Sequence, residues 1–268
     1  MLIDTHCHLT FGELAPQTTA VLARARQADV RRVINVATSV PEARAGIELL
    51  TKHDNVWLVA GIHPHEAAKC TRDELDALAA LHRGKWSKDF DIACLVGVGE
   101  TGLDFHYDFA SPGQQEEIFR FQLELALQVE RPVVIHARQA EQRVCDILAD
   151  YPQLAGRVVF HCYSGDVAMT RRVLDLGCWL SFTGVVTFKN AGVIRESARY
   201  APGARIMVET DAPYLSPEPV RRTFPNEPAL MVHTAKFLAE SRGVAFDKFA
   251  EMTTANAIEF FNLPEERA

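Results

Sequence analysis

Eight short apolar segments recur along the chain, most of them rich in Val and Ile and most followed by an amphipathic stretch: Leu2–His8, Arg32–Ala37, Val56–His63, Cys94–Glu100, Pro132–His136, Arg157–His161, Trp179–Gly184 and Arg205–Asp211. Continuous apolar runs between helices with a polar face are what a parallel sheet covered on both sides requires. Gln114–Val129 is the clearest helix, with acidic residues in its first turn and Phe119, Leu123 and Leu127 along one face. Pro41 is placed to open the second helix and Gly177 to end the sixth. Eight β-then-α units in a chain of this length predict an α/β fold of the (β/α)8 TIM-barrel type rather than a doubly wound sheet. The last helices, near Pro228–Arg242 and Phe246–Phe261, are expected to close the outer ring. No Ser/Gly-rich linker or low-complexity tract interrupts the repeat, so residues 1–268 are read as a single domain.

Composition adds exclusions. With 48% hydrophobic and 24% charged residues the chain is neither disordered nor fibrous. The 28 Lys and Arg against 35 Asp and Glu leave a net charge of −7, which argues against holding nucleic acid by bulk charge but leaves room for a local positive site or for bound cations. The N-terminus shows no basic stretch followed by an apolar one, and apolar runs such as Val56–Ile62 are too short to cross a bilayer. Cys7, Cys70, Cys94, Cys145, Cys162 and Cys178 form no CxxC pair and no dense framework. A cytoplasmic protein without membrane association or an obligate protein partner is expected.

The chemistry-bearing residues collect at the segment ends. His6 and His8 end the first, His63 the third, Glu100 the fourth, His136 the fifth, His161 the sixth and Asp211 the eighth. In a barrel those ends share one rim, where loops build the site. Alternate side chains of a strand share a face, so His6 and His8 point inward together while Cys7 points out, and Cys162 points away if His161 points in. His6, His8, His136 and His161 with Glu100 and Asp211 suit one or two borderline divalent ions such as Zn2+, Mn2+ or Ni2+. Two ions about 3.5–4 Å apart need an oxygen ligand that spans them. Glu100 is the expected bridge, because neither its segment nor the next contains a lysine that could be carboxylated for that purpose.

Asp211 can bind a metal and accept a proton from water whose pKa a metal has lowered toward ~7. Glu209 shares its face and is expected to orient a ligand from behind. Asp104 and His106, close after Glu100, are expected to support it from behind. His63 and His65, in Gly61-Ile62-His63-Pro64-His65, and Arg138 are candidate substrate contacts; His63 could instead complete a metal shell. Lys189, Arg221 and Arg222 lie in loops where they could meet phosphates. His53, His82 and His233, in helical patterns, are read as solvated.

Asp4-Thr5-His6-Cys7-His8-Leu9, Gly61-Ile62-His63-Pro64, Gly99-Glu100-Thr101-Gly102-Leu103-Asp104, Val134-Ile135-His136-Ala137-Arg138, His161-Cys162-Tyr163-Ser164-Gly165 and Glu209-Thr210-Asp211-Ala212-Pro213-Tyr214-Leu215 resemble, in order and across nearly the whole chain, the TatD family of metal-dependent hydrolases. Asn226-Glu227-Pro228 and Asn256 resemble its late landmarks. The resemblance implies an amidohydrolase-type TIM barrel with a divalent metal centre on His6, His8, Glu100, His136, His161 and Asp211. The expected cofactors are divalent cations, two per chain, drawn from Zn2+, Mn2+, Mg2+, Co2+ or Ni2+. Family members are typically described as deoxyribonucleases, some of them 3′-end exonucleases. The stretch from Pro217 to Pro225 is longer and less basic than the loop the family usually carries there.

Three functions compete at this point. The first is hydrolysis of DNA phosphodiester bonds by a metal-activated water, with single-stranded ends as substrate and Tyr163, Phe182, Phe188 or Tyr214 as candidates to stack on a base. The second is ester or amide hydrolysis at the same centre, including deacylation of aminoacyl-tRNA. The third is a metal-binding barrel without catalysis.

Overall fold

The computed structural model describes residues 1–86 and 90–264; the end of the domain read from the sequence lies outside the described residues. Eight parallel strands follow one another in chain order: β1 (Leu2–Cys7), β2 (Val30–Ala37), β3 (Val56–Ala60), β4 (Leu95–Asp104), β5 (Val133–Arg138), β6 (Val158–Phe160), β7 (Trp179–Phe182) and β8 (Ile206–Val208). A bridge between Cys7 and Ala212, just past β8, brings the first and last strands together, so the sheet is a nearly closed barrel. Helices α1 (Thr18–Gln27), α2 (Val40–Leu50), α3 (Arg72–His82), α4 (Pro112–Val129), α5 (Glu141–Leu148), α6 (Val167–Asp175), α7 (Gly192–Tyr200), α8 (Met231–Ser241) and α9 (Phe246–Phe261) alternate with and follow the strands. This is the (β/α)8 barrel of one domain that the eight-fold repeat predicts.

The cap chemistry explains where the helices begin. Pro41 sits in the first turn of α2 behind an Ser39 N-cap. The α4 helix starts two residues earlier than its apolar periodicity indicates, at Pro112, with Ser111 and Gln114 exchanging hydrogen bonds in a capping box. Its first turn is therefore free of acidic residues, and Glu116 and Glu117 fall in the second. Gly177 takes a φ of 77° just past α6 and lets the chain reverse into β7.

Two apolar layers follow from the strand alternation. Outward residues such as Val33, Val133, Phe160 and Val208 pack under the helices, and Cys7 lies in this outer layer. Inward residues such as Ile34, Trp57, Val134 and Trp179 fill the barrel together with Phe260 and Phe261 of α9. The last helix thus does not simply extend the outer ring: its C-terminal aromatic pair plugs the barrel floor, leaving the C-terminal mouth for chemistry.

His82 is not solvated. It is buried, donates from Nε2 to the Ala60 carbonyl at 2.9 Å and leaves Nδ1 without a hydrogen-bond partner among the described residues. Burial pushes its pKa down to about 3, against a small opposing effect of the Ala60 carbonyl. The native state therefore takes up this proton less readily than the unfolded chain, so the stability present above pH 6.5 is lost as pH falls toward 3. By pH 4.5 this one group costs about 2–3 kcal/mol. Urea unfolding at pH 7 and 4.5 should show a smaller pH loss in His82→Gln than in the wild type; equal losses would refute the assignment.

Candidate metal centre

Irregularities in two strands aim the central side chains. Between the paired residues Asp4↔Val33 and Cys7↔Asn35, β1 uses Thr5 and His6 where β2 uses Ile34 alone. Between Val98↔Val133 and Thr101↔Ile135, β4 uses Gly99 and Glu100 where β5 uses Val134 alone. An extra residue of this kind bends a strand and redirects a side chain. The second bulge depends on glycine. A Cβ at Gly99 (φ 141°) would lie 2.5 Å from the Val134 carbonyl oxygen, and one at Gly102 (φ 134°) 2.1 Å from that of His136. Glu100 therefore does not end its strand: β4 runs four residues further, to Asp104.

Glu100 stands at the middle of the cluster. Its Oε1 lies 2.7 Å from His161 Nε2, 3.0 Å from His136 Nδ1 and 3.4 Å from His63 Nε2. Its Oε2 lies 3.3 Å from His6 Nε2 and 3.8 Å from His8 Nε2. Asp211 Oδ1 approaches His8 Nε2 at 3.4 Å and His6 Nε2 at 3.8 Å. Asp211 adopts a left-handed backbone (φ 55°), and its N–H donates to the His6 carbonyl, which fixes the turn after β8 against β1. The rings of His6 and His161 stack at 4.0 Å. Ligand atoms of three overlapping sets lie within 4.8 Å of one another: His6, His161 and Asp211; His6, His8 and Glu100; His63, Glu100 and His136.

The outer nitrogens decide which ring atoms are free. His8 directs Nδ1 to the Val36 carbonyl at 3.0 Å, and His136 directs Nε2 to Asp104 Oδ2 at 2.9 Å. Each bond places the proton on the outer nitrogen of the neutral ring and turns the lone pair inward. His161 Nδ1 sits 3.5 Å from Glu209 Oε1, close enough for charge attraction but not aligned as a hydrogen bond. Inside the cluster, His6 Nε2 faces His8 Nε2 at 3.2 Å. Inward lone pairs crowding one another beside two carboxylates form a donor set that fits divalent cations. His63 differs. Its Nδ1 accepts the His65 N–H at 3.1 Å, so the proton of the neutral ring sits on Nε2 and the ring faces the cluster as a donor.

The buried charges show the same demand for cations. Burial raises the Glu100 pKa, but the charges of His161 and His63 and the bonds from His136 and His161 outweigh it and hold the carboxyl well below its usual range. Burial works against charge on His161, yet the attraction and hydrogen bond of Glu100, with Glu209 behind, raise it well above 6.5. Burial pushes His63 down to about 4. Buried carboxylates need positive compensation, and without ions the imidazoles supply it as protons.

A second circle of polar groups holds these rings. Asp104 is fully buried; its Oδ2 accepts from His136 and from His65 Nε2, each at 2.9 Å, while Oδ1 accepts the backbone N–H groups of His106 and Tyr107. Asp104 thus steadies His136 and His65, not Glu100. His106 turns outward to Gln139 and supports neither. Glu209 Oε1 accepts the Cys162 N–H at 2.6 Å.

Two residues missed by the sequence reading anchor the arrangement from α4. Gln115 pairs with both the N–H and the carbonyl of Asp104, and Gln122 bonds the N–H and carbonyl of Ile62 and the Thr101 hydroxyl. Their signal was two glutamines, seven positions apart, on the stripe that carries Phe119 and Leu123.

Arg138 ends β5, and its guanidinium lies over the Tyr107 ring at 4.9 Å rather than in the cluster. Tyr163 and Phe182 are packed in the outer core and cannot stack on a ligand. Phe188 carries the Arg221 guanidinium on its face, while Tyr214 is exposed.

An imidazole–carboxylate cluster at the C-terminal mouth of a (β/α)8 barrel defines a metal-dependent hydrolase. The model of the family described as TatD related DNase matches residues 3–262, and the chain belongs to that family. It is 34% identical over 270 residues to the uncharacterized metal-dependent hydrolase YcfH of Escherichia coli K12, covering 99% of this chain and 97% of the relative. It is 30% identical over 268 residues to the 3′-5′ ssDNA/RNA exonuclease TatD of Salmonella typhimurium, covering 98% and 99%. Among solved structures, the E. coli TatD homologue YjjV superimposes with a TM-score of 0.90 at 29% identity over 98% of both chains. No helix among the described residues is long and apolar enough to cross a membrane.

Proposed function

We propose that this chain is a deoxyribonuclease that hydrolyses phosphodiester bonds at single-stranded DNA ends, of the 3′-5′ exonuclease type, with two divalent cations held by His6, His8, Glu100, His136, His161 and Asp211. The observation that carries the reading is Glu100, whose two oxygens face different imidazoles: Oε1 those of His136 and His161, Oε2 that of His6. The exonuclease name of the Salmonella relative supports the choice of substrate.

Divalent ions bound there supply Lewis acidity, lowering the pKa of water toward ~7 and offsetting charge on the phosphoryl oxygens. The chain does the rest. Asp211 accepts the proton released by the attacking water. His63, neutral at pH 7 and carrying its proton on Nε2, donates to a phosphoryl oxygen. His65 and Arg138 stand further out, where the next part of the substrate enters. Asp104 keeps the lone pair of His136 aimed inward, and Glu209 attracts the outer edge of His161 by charge.

Hydrolysis of a 3′-labelled oligonucleotide, an aminoacyl ester and a small amide, each with Mg2+, Mn2+, Co2+ or Zn2+ after chelator stripping, tests the substrate. The proposal expects metal-dependent loss of nucleotides from the oligonucleotide end; turnover confined to the ester or amide would overturn it. Asp104→Asn is expected to weaken metal affinity about 10–100-fold, because the amide no longer fixes the His136 tautomer. Metal titration by calorimetry reads that shift, and unchanged affinity would remove Asp104 from the centre.

A further inference from the structure

Six of the exposed large apolar side chains lie on loops that follow strands at the mouth: Phe11 after β1, Phe105, Tyr107 and Phe109 after β4, and Tyr214 and Phe224 after β8. Tyr107 is 42% and Phe109 57% exposed, a cost in apolar exposure that packing does not explain. These two rings are joined to the metal centre by an unbroken series of ring contacts. His136 meets His63 at 4.6 Å, His63 meets His65 at 4.4 Å, and His65 meets Phe109 at 4.7 Å and Tyr107 at 5.4 Å. Arg138 continues the series over Tyr107, and no carboxylate among the described residues pairs with it. Asp104 holds this wall and the centre in one frame, since the same carboxylate accepts from His136, from His65 and from the Tyr107 N–H.

We propose that Tyr107 and Phe109 form a base-stacking subsite, with Arg138 as its phosphate contact, so that a nucleobase beside the scissile linkage rests on the two rings. The inference rests on the polynucleotide-end reading of the centre. A ring wall recognises planar faces of any base, and a guanidinium free of carboxylate partners supplies the matching charge for the backbone. In the eight-strand ring β4 lies opposite β8, whose following loop carries the exposed Tyr214 and Phe224. A single strand has unpaired base faces to offer such a mouth; a duplex hides them in its stack.

The test uses the full-length, Mn2+-loaded protein and ten-nucleotide single strands with phosphorothioate terminal linkages, carrying 2-aminopurine at the 3′ end, at the 5′ end or centrally. Wild-type protein is expected to quench the 3′-terminal probe, and an abasic 3′ end to weaken binding roughly tenfold. In the Tyr107→Ala/Phe109→Ala double variant the quenching is expected to disappear and the abasic penalty to vanish, while Tyr107→Trp keeps both. Equal abasic penalties in wild type and double variant would overturn the subsite, even if oligonucleotide cleavage proceeds. So would a double variant that binds oligonucleotide normally but loses a self-association seen by sedimentation, which would make the wall a protein interface. Quenching and the abasic penalty without any cleavage of unmodified oligonucleotide would uphold the subsite and refute the nuclease reading.

Discussion

Glu100→Gln is expected to lower turnover by on the order of a thousandfold or more, because several kcal/mol of transition-state stabilisation depend on ions that this carboxylate helps to hold. An amide keeps the volume of the side chain but removes its charge. It also turns an NH2 donor toward either the His161 and His136 nitrogens or that of His6, which lie 2.7, 3.0 and 3.3 Å from the present oxygens. Metal content per chain should fall together with activity. The apolar floor around Trp57 and Phe261 is untouched, so the barrel should still fold, as read by far-UV circular dichroism, although loss of the buried Glu100–His161 pairing should lower the metal-free melting temperature. A Glu100→Gln protein with full metal content and full turnover would refute the bridging role.

Asp211→Asn should separate proton transfer from substrate binding. Positioned general bases contribute about 10²–10⁴ in rate, so at saturating Mn2+, which offsets the weaker metal binding expected from losing one ligand carboxylate, kcat should fall by about that range while KM for the oligonucleotide changes little. The backbone of Asp211 is fixed independently of its carboxylate, through the bond from its N–H to the His6 carbonyl. The turn should therefore survive the substitution. A variant that loses KM but keeps kcat would make Asp211 a substrate contact instead of the proton acceptor.

The order of strands and the rim on which the histidines gather were legible because a parallel barrel writes itself as apolar runs separated by amphipathic ones. The inward pairing of His6 and His8 could be read from alternation, with Cys7 consigned to the outer layer. What alternation could not show is that β1 and β4 each spend an extra residue at the centre. A bulge is set by how two strands meet, and one strand's sequence carries only its shadow, here the glycines at 99 and 102.

The burial of His82 is hidden from its sequence for a related reason. A histidine at the C-terminal end of an amphipathic helix looks solvated until the chain that covers it, here the strand end at Ala60, is known. The grip of Asp104 on His136 and that of Gln122 on Ile62 depend on contacts between elements distant in sequence, while Gln115 reaches back from α4 to the end of the strand just before it. The aromatic wall had a local signal, three aromatics in the five residues from Phe105 to Phe109. Of the stacking candidates Tyr163, Phe182, Phe188 and Tyr214, the outer core absorbs the first two.

Anomalous diffraction from a crystal of the full-length protein grown with Mn2+ tests the metal centre most directly. Two peaks are expected among His6, His8, Glu100, His136, His161 and Asp211, with Glu100 oxygens reaching both. A map with no peak among these six side chains, at full Mn2+ loading, would contradict the account.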